Sequence, residues 1–561
     1  MIQPVLGQPA VFRLTSDVDL PTGLSEREHR LLVGALNFHA LMAPGRELTV
    51  HVYDGEWDTL PRTTDDATFN GMSRRFRTRS FTVGIASDVA LGTTPTVPAQ
   101  REAMELAAGA VRHLHISRDD VLRYDPPREL PTDPVRRALR VFRARMPLLY
   151  DEARDIELLR HRRSLTRRAV RRDYHSEFQP GGTHADGEIV AAGAAPEGAP
   201  RAVIIGLHWF ELGGAERWAF ETVRLVRDAG FLPIVLADHG SHQPWIGRSE
   251  LDGALIIPFS EPTVLSQTTG VEELLHAILR TFDVRGVVVH HNQWLYDRLH
   301  WIALSRPGLP IVDSTHIVEY RGGGFPHSSV RVEEAITRHH VISPTLERWM
   351  VQTQGVAPEK VVMAPLGGLT ADSHDAQFRP RREGEPFTVA FIGRMARQKA
   401  PEVFLAMAHR LRADHDELRF IMHGDGELAS WVDDLFAAYD LDGIVERRDS
   451  SIPVDATLDE AHVLVVTSYN EGLTLTTLEA ITHGVPVIST DVGAQSDIIP
   501  KRALVSRNVH RAVREAAQKV AWVLTDENAR AQLWRDEREA EKVLLARPSA
   551  SEWFMQEVGS W

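Results

Sequence analysis

Short apolar runs along this chain alternate with longer stretches whose apolar residues recur three and four positions apart. The first pattern belongs to buried strands and the second to amphipathic helices. From Arg201 onward the alternation is regular, with strands predicted at 202–206, 232–236, 254–258, 287–290, 310–313, 340–342 and 361–364. Helices fall between them, as at 216–229 and 271–282. A polar stretch at 370–385, with Pro380, Arg381, Arg382 and Gly384, marks a boundary. A second series follows at 387–392, 419–423, 463–466, 485–489 and 503–505. Repeated strand–helix units imply doubly wound parallel sheets, whose ligands lie outside the carboxyl ends of the strands. Two such domains in tandem create a cleft. The expected class is α/β, with one domain over 201–370 and another over 385–545.

The first 200 residues differ. Residues 1–130 read as a small accessory α/β domain, with strands at 11–15, 48–53 and 81–85 and a helix at 100–115. Another helix, ending near Met42, is predicted to start at Ser25, with Glu28 as its capping-box partner. Asp17 and Asp19 are an acid pair at metal-like spacing, which loops usually explain, and no metal site is expected. Residues 131–177 read as a helical arm, which between 135 and 172 carries 13 arginines against 4 acids. Such an excess fits a solvated or docked helix, or contact with an anionic surface such as a membrane. Its apolar set, including Val141, Phe142, Met146 and Leu149, is also a candidate for self-association. Residues 178–200, rich in Gly, Ala and Pro, read as a linker.

Composition narrows the class. At 561 residues the chain is too long for one ordinary domain, and 43% apolar with 25% charged residues is normal for a globular protein. A formal net charge of −14 argues against a nucleic-acid partner. The absence of cysteine excludes disulfides and thiolate metal sites and fits a reducing compartment. The N-terminus lacks a basic, then apolar, leader pattern, and no apolar run reaches membrane-spanning length. A cytoplasmic location is therefore expected, with the basic stretch a candidate for peripheral contact with the inner membrane face.

The densest chemistry lies at 465–484, where a Val-rich strand enters a helix through the turn Tyr469-Asn470-Glu471-Gly472 and Gly484 stops the helix. Free N–H groups and a positive dipole end suit that helix start to a phosphate, with Thr474, Thr476 and Thr477 as further donors. Alone, this is an ordinary strand–turn–helix unit. Upstream, however, strand 387–392 ends in Gly393-Arg394, and Lys399, one of only five lysines in the chain, follows. An arginine fork and a mobile lysine charge are suited to a diphosphate.

The set Gly213-Gly214-Ala215-Glu216, His316, Gly393-Arg394 with Lys399, Gly424-Asp425-Gly426, Glu471 with Glu479, and Gly484 to Gly493 resembles retaining GT-B glycosyltransferases of family 4 in content, order and spacing. The resemblance covers about 201–561. It implies a GT-B fold of two Rossmann-like domains, and transfer of a hexose-type sugar from a nucleotide-diphosphate sugar to a glycan, glycolipid or cell-surface polymer. Retention of anomeric configuration and metal-free chemistry without a cofactor are implied too. Arg394 and Lys399 would then hold the diphosphate, Glu471 the sugar hydroxyls and Glu479 the ribose, with Gly213, Gly214, Gly472, Leu473 and Thr474 approaching the donor. His316 would lie beside the transferred sugar, the Asp425–Glu427 turn near the base or ribose, and the last helix, 546–561, would cross back onto the first domain. His290 and His291 are weaker candidates for the acceptor. Where relatives carry Gly-Gly, an apolar residue and an acid, this chain has Gly493-Ala494-Gln495-Ser496-Asp497, a loop placed to shift sugar preference.

A dinucleotide oxidoreductase is disfavoured by the lack of Gly-x-Gly-x-x-Gly after a strand, and a nucleotide hydrolase by the lack of a P-loop. A GT-B phosphorylase or a catalytically silent scaffold shares the fold. The silent reading predicts loss of Arg394, Lys399 or Glu471, and all three are present.

Overall fold

The computed structural model describes residues 2–15, 23–54, 62–65, 79–90, 111–116, 133–150, 152–153, 156, 167–172, 183–184, 187–188, 191–211, 213–239, 241–259, 271–319, 323–369, 376–426 and 428–561. Asp17, Asp19 and Glu427 fall outside them, as does most of the predicted helix 100–115.

The N-terminal unit is a mixed five-stranded sheet. Its strands are β1 (Phe12–Leu14), β2 (Glu47–Asp54), β3 (Arg62–Asp65), β4 (Arg79–Ser87) and β5 (Val111–Ile116), in the order β1-β4-β2-β5-β3. The predicted helix 100–115 is wrong at its end, because Val111–Ile116 runs parallel to β2. Helical spacing there came from a short run whose burial belongs to a strand (Leu114 is fully buried). Helix α1 (Glu26–Met42) starts with the expected capping box of Ser25 and Glu28. It does not belong to a free-standing domain. Arg27 Nε donates to the His242 carbonyl at 2.6 Å, and the buried Arg30 bonds Glu26, Asp252 and the Arg248 carbonyl. The unit is thereby docked on the first lobe. In the arm, helix α2 (Pro134–Arg145) lies against the other lobe, with the Arg143 guanidinium 3.9 Å from the centre of the Trp431 ring. The end of the linker is also docked: Ala192 N donates to Ser305 Oγ at 3.0 Å, and Arg306 clasps the carbonyls of Ala192 and Gly193.

The first lobe carries seven parallel strands, β6 (Arg201–Leu207), β7 (Leu232–Ala237), β8 (Leu255–Pro258), β9 (Asp283–His290), β10 (Ile311–Thr315), β11 (Arg338–Val341) and β12 (Val361–Met363). Their order is β8-β7-β6-β9-β10-β11-β12. The second lobe has six, β13 (Phe387–Ile392), β14 (Leu418–His423), β15 (Val445–Arg448), β16 (Val463–Val466), β17 (Val487–Thr490) and β18 (Leu504–Val505), ordered β15-β14-β13-β16-β17-β18. Both sheets reverse direction of strand addition beside their first strand, and the crevice at such a switch point is where ligands bind. The central strands are buried on both faces, which explains their continuous apolar runs: Val203, Ile204 and Ile205 are fully enclosed, as are Val463 and Leu464. The sequence missed β15, an edge strand that reads Val-Glu-Arg-Arg and has too little apolar content to announce itself.

This is the two-lobed GT-B arrangement expected. The last helix, α3 (Ala550–Gly559), returns to the first lobe as predicted. Phe554 meets Trp218 edge to face at 6.1 Å, and Arg201 donates to the Trp561 carbonyl. Among the described residues no helix is long and apolar enough to cross a membrane.

Candidate active site

A cavity of about 610 Å³ lies between the lobes at the carboxyl ends of both sheets. Gly213, Gly214, His316, Arg394, Lys399, Glu471, Gly472, Leu473, Thr474 and Glu479 all line it. These residues span more than 260 positions of sequence, and the two switch points bring them together.

Lys399 and Glu471 form its centre. Lys399 Nζ is 2.6 Å from Glu471 Oε1, and the Ser468 hydroxyl donates to the same oxygen at 2.6 Å. Glu471 is only 5% exposed, so the pair is largely shielded from solvent. The turn bearing Lys399 is strained. Ala400 holds φ +48°, a region that costs a residue with a β-carbon roughly 1 kcal/mol or more. Thr467 Oγ1 contacts the carbonyls of both Lys399 and Ala400 at 3.0 Å, which pins that conformation. Gln398 ties the same turn to the Glu471 loop, donating to the Asn470 carbonyl at 2.9 Å while its own carbonyl accepts from Tyr469 N.

Two glycines, Gly472 in the Glu471 loop and Gly493 packed against it, leave no room for a side chain. A β-carbon on Gly493, which has φ +55°, would fall 1.6 Å from the Glu471 carbonyl oxygen. One on Gly472 would fall 2.3 Å from the carbonyl oxygen of His316, which belongs to the opposite lobe. The loop then enters the helix Leu475–Thr482, whose N-cap is Thr474.

The threonines divide. Thr476 lines the cavity, but Thr477 does not: it is fully buried, and its N–H and hydroxyl bond Thr474 and Gln495. The expectation that Thr477 faces a phosphate is therefore corrected, because capping uses its donors. The departure at 493–497 also has a structural role. Gln495 braces the cap by donating to Thr474 Oγ1 at 3.1 Å, and Asp497 accepts from Thr345 N and Oγ1 of the first lobe, both at 2.9 Å. It joins the lobes.

Arg217 is a site residue the sequence reading passed over. It stands in the first turn of the first-lobe helix Gly214–Asp228 and reaches Glu479 Oε1 at 2.8 Å. Its neighbour Glu216 does more than charge a helix start. Glu216 Oε1 accepts from Trp209 Nε1 at 2.8 Å, Arg394 lies 5.9 Å from the Trp209 ring, and burial pushes the Glu216 carboxyl above its usual range. Trp209 and His208 were missed because they follow a strand with no motif of their own. Asp425 lines the cavity as expected, where its carboxylate accepts from Ser450 N at 2.7 Å and Ser450 Oγ at 2.6 Å. Ile452, Pro453 and Val454 supply an apolar edge beside it. Gly323 caps the helix Gly324–Arg331, which brings Phe325 into the cavity.

His316 follows strand β10 directly and is buried. Its Nε2 is 3.3 Å from Ser314 Oγ, which is 2.8 Å from His340 Nδ1. Burial and the neighbouring histidines hold its imidazole neutral, with a pKa well below 6.5. His291 also lines the cavity, whereas His290 lies behind it, bonded to Thr222 Oγ1 at 2.9 Å. Among the described residues no group of three or more His, Asp or Glu could hold a metal ion.

Parts of the chain are similar to known glycosyltransferases. Residues 372–540, most of the second lobe, match the family model described as glycosyl transferases group 1. The chain is 28% identical over 252 residues to a D-inositol 3-phosphate glycosyltransferase of Streptosporangium roseum, covering 39% of this chain and 58% of that protein. A protein of the same name from Thermobispora bispora is 28% identical over 297 residues, covering 46% and 65%. The chain thus spans less than two thirds of the length of either relative. Solved structures with some likeness include Anabaena HepE in complex with UDP-glucose, at 13% identity and a TM-score of 0.49, covering 64% of this chain and 98% of that one. Sucrose-phosphate synthase of Thermosynechococcus elongatus is 17% identical with a TM-score of 0.46, at the same coverage. The stretch that holds Arg394, Lys399, Glu471 and Glu479 is therefore the stretch that is similar to group 1 glycosyltransferases.

Proposed function

We propose that this protein transfers a hexose-type glycosyl group from a nucleotide-diphosphate sugar to an acceptor hydroxyl, with retention of anomeric configuration and without a metal. The observation that carries the reading is the convergence of Arg394, Lys399, Glu471 and a helix N-terminus in one interlobe cavity. As the anomeric bond breaks, negative charge develops on the leaving diphosphate and positive charge on the sugar. Preorganised cations and backbone N–H groups stabilise the first, and water exclusion strengthens them. Arg394, Lys399 and the backbone from Gly472 to Thr474 serve the diphosphate. Glu471, held by Lys399 and Ser468, orients the sugar hydroxyls. Glu479 accepts from the ribose diol, and the apolar edge at 452–454 flanks the base.

The acceptor is a glycan, a glycolipid or a polymer end, and the protein works in the cytoplasm. Val135, Leu139 and Phe142 are exposed on the arginine-rich helix α2, as is Met146 at its C-cap. This supports peripheral contact with an anionic membrane; co-sedimentation with anionic but not neutral vesicles tests it. The same exposed face could pair with a second copy, which sedimentation velocity detects.

Incubation with a panel of UDP-, GDP-, ADP- and dTDP-sugars in EDTA tests the reaction. Nucleoside diphosphate release with a product of the donor's anomeric configuration is expected. An inverted product contradicts retention, and no release with any donor contradicts the transfer reading.

A further inference from the structure

Behind Lys399 and Glu471, three residues that do not line the cavity lock together. Glu402 stands in the first turn of the helix Pro401–Leu411 and is fully buried. Its Oε1 accepts from the Tyr469 hydroxyl at 3.1 Å and from Arg397 Nη1 at 3.2 Å. The Arg397 guanidinium in turn lies 4.5 Å from the centre of the Tyr469 ring. This triangle ties together the turn Arg397–Lys399, the helix that follows it and the loop that bears Glu471.

A buried carboxylate is costly unless it is paired and hydrogen-bonded, so Glu402 holds these partners in direction as well as in place. An apolar side chain would fill the same volume without that cost, but it would orient neither the Tyr469 hydroxyl nor the Arg397 guanidinium. An acid in the first turn also suits the positive end of its helix.

Lys399 needs such support. Its ammonium is a point charge on a stem of four carbons, which loses much rotamer freedom when it is ordered. The main chain beside it is a single helical turn followed by the left-handed Ala400 at φ +48°. Strained backbone persists only where its surroundings over-determine it. Glu471 takes Lys399 Nζ from the cavity side, and Thr467 bonds the carbonyls of Lys399 and Ala400. The triangle holds the flanking residues 397 and 402 from the far side. The ion pairs alternate: Arg397 meets the charge of Glu402, and Lys399 is left to Glu471 and the cavity.

We propose that Glu402 and Tyr469 are positioning residues for the transfer: clamped with Arg397 behind the cavity, they set the Lys399 ammonium and the Glu471 carboxylate at the places where a diphosphate sugar meets them. The inference rests on the glycosyl-transfer reading. Neither side chain touches substrate, and both act through Lys399 and its turn. A shift of about 1 Å in such a group can cost about 100-fold in rate.

A double-mutant cycle on the full chain tests this. Tyr469→Phe keeps the ring over which Arg397 lies and deletes only the hydroxyl, while Glu402→Gln keeps the shape and removes the charge. Each is made in the wild type and in Lys399→Ala. Binding of UDP, GDP, ADP and dTDP is measured by calorimetry, and kcat and both KM values are measured with whichever donor the wild type turns over. In the wild-type background Tyr469→Phe should weaken binding of the preferred nucleoside diphosphate about fivefold and lower kcat about tenfold, with the acceptor KM changed less than about twofold. In the Lys399→Ala background the same substitution should change binding less than about twofold, because the group it positions is gone. Melting temperatures identify any variant that fails to fold; if Glu402→Gln does not fold, Tyr469→Phe decides alone. An equal loss of binding in both backgrounds, or no loss of binding or kcat in folded Tyr469→Phe, would overturn the proposal while leaving transfer intact. Absence of donor turnover in the wild type would overturn the transfer reading itself.

Discussion

The Arg217 guanidinium of the first lobe lies 2.8 Å from the Glu479 carboxylate of the second, across the cavity in which a nucleotide would sit. One Glu479 oxygen is engaged and the carboxylate is held in place. Arg217 is about one third exposed, so the pair contributes little to folding, roughly 0–1 kcal/mol. Its effect should be on the donor. Arg217→Ala is expected to leave the melting temperature nearly unchanged and to raise the donor KM several-fold, with Arg217→Lys intermediate. Steady-state kinetics with varied donor checks this.

The pair of Lys399 and Glu471 behaves differently because it is buried. Lys399→Ala leaves a shielded carboxylate supported only by Ser468, a situation that costs about 3 kcal/mol or less here. It should lower the melting temperature by several degrees and reduce kcat about 100-fold or more. Adding Glu471→Gln removes the stranded charge. The double variant should regain stability but not activity. Thermal melts and kinetics on the four proteins of the cycle separate these effects.

Gly493 tests the shape of the loop. Gly493→Ala forces a β-carbon onto the Glu471 carbonyl and requires φ +55°, and it should cost more than about 2 kcal/mol and abolish turnover. Gly443→Ala is the control: φ is +76° there but nothing lies within 4 Å, so the cost should be about 1 kcal/mol, from the backbone alone. Urea unfolding of both variants measures the difference.

Acid stability follows from the buried histidines. Burial lowers the pKa of His39 to about 3, of His291 and His340 to about 4, and of His208, His290 and His316 well below 6.5. The unfolded chain binds protons at these groups near pH 6.5 while the folded chain does not. Stability is therefore fully present above that pH and is lost as pH falls toward 4. Each group contributes about 1.4 kcal/mol per pH unit. Melting temperature should fall steeply between pH 6.5 and 5, with His39→Gln or His340→Gln flattening the fall.

Much of this architecture was legible in the sequence because buried parallel strands are apolar throughout. Every central strand of both lobes fell where a run such as 203–205 or 463–466 placed it. The capping box at Ser25 and Glu28 was equally readable, since it is a local contact. That Arg394, Lys399, Glu471 and Glu479 line one cavity was legible as a set, through spacing that the resemblance made specific. Other features were not. Val111–Ile116 is a strand because β2 lies beside it, a fact no local window contains. Thr477 looked like a phosphate donor until Gln495, eighteen residues on, was seen to occupy it. Arg217 and Trp209 gain their place from the opposite lobe, and nothing in their own segments distinguishes them from helix or strand-end residues.

The most direct measurement is calorimetric titration of the wild type and Lys399→Ala with UDP-, GDP-, ADP- and dTDP-sugars in metal-free buffer. At least one donor should bind the wild type, and Lys399→Ala, still folded, should bind it at least about tenfold more weakly. Equal binding to both proteins, or none to the wild type, would contradict a diphosphate site built on Lys399.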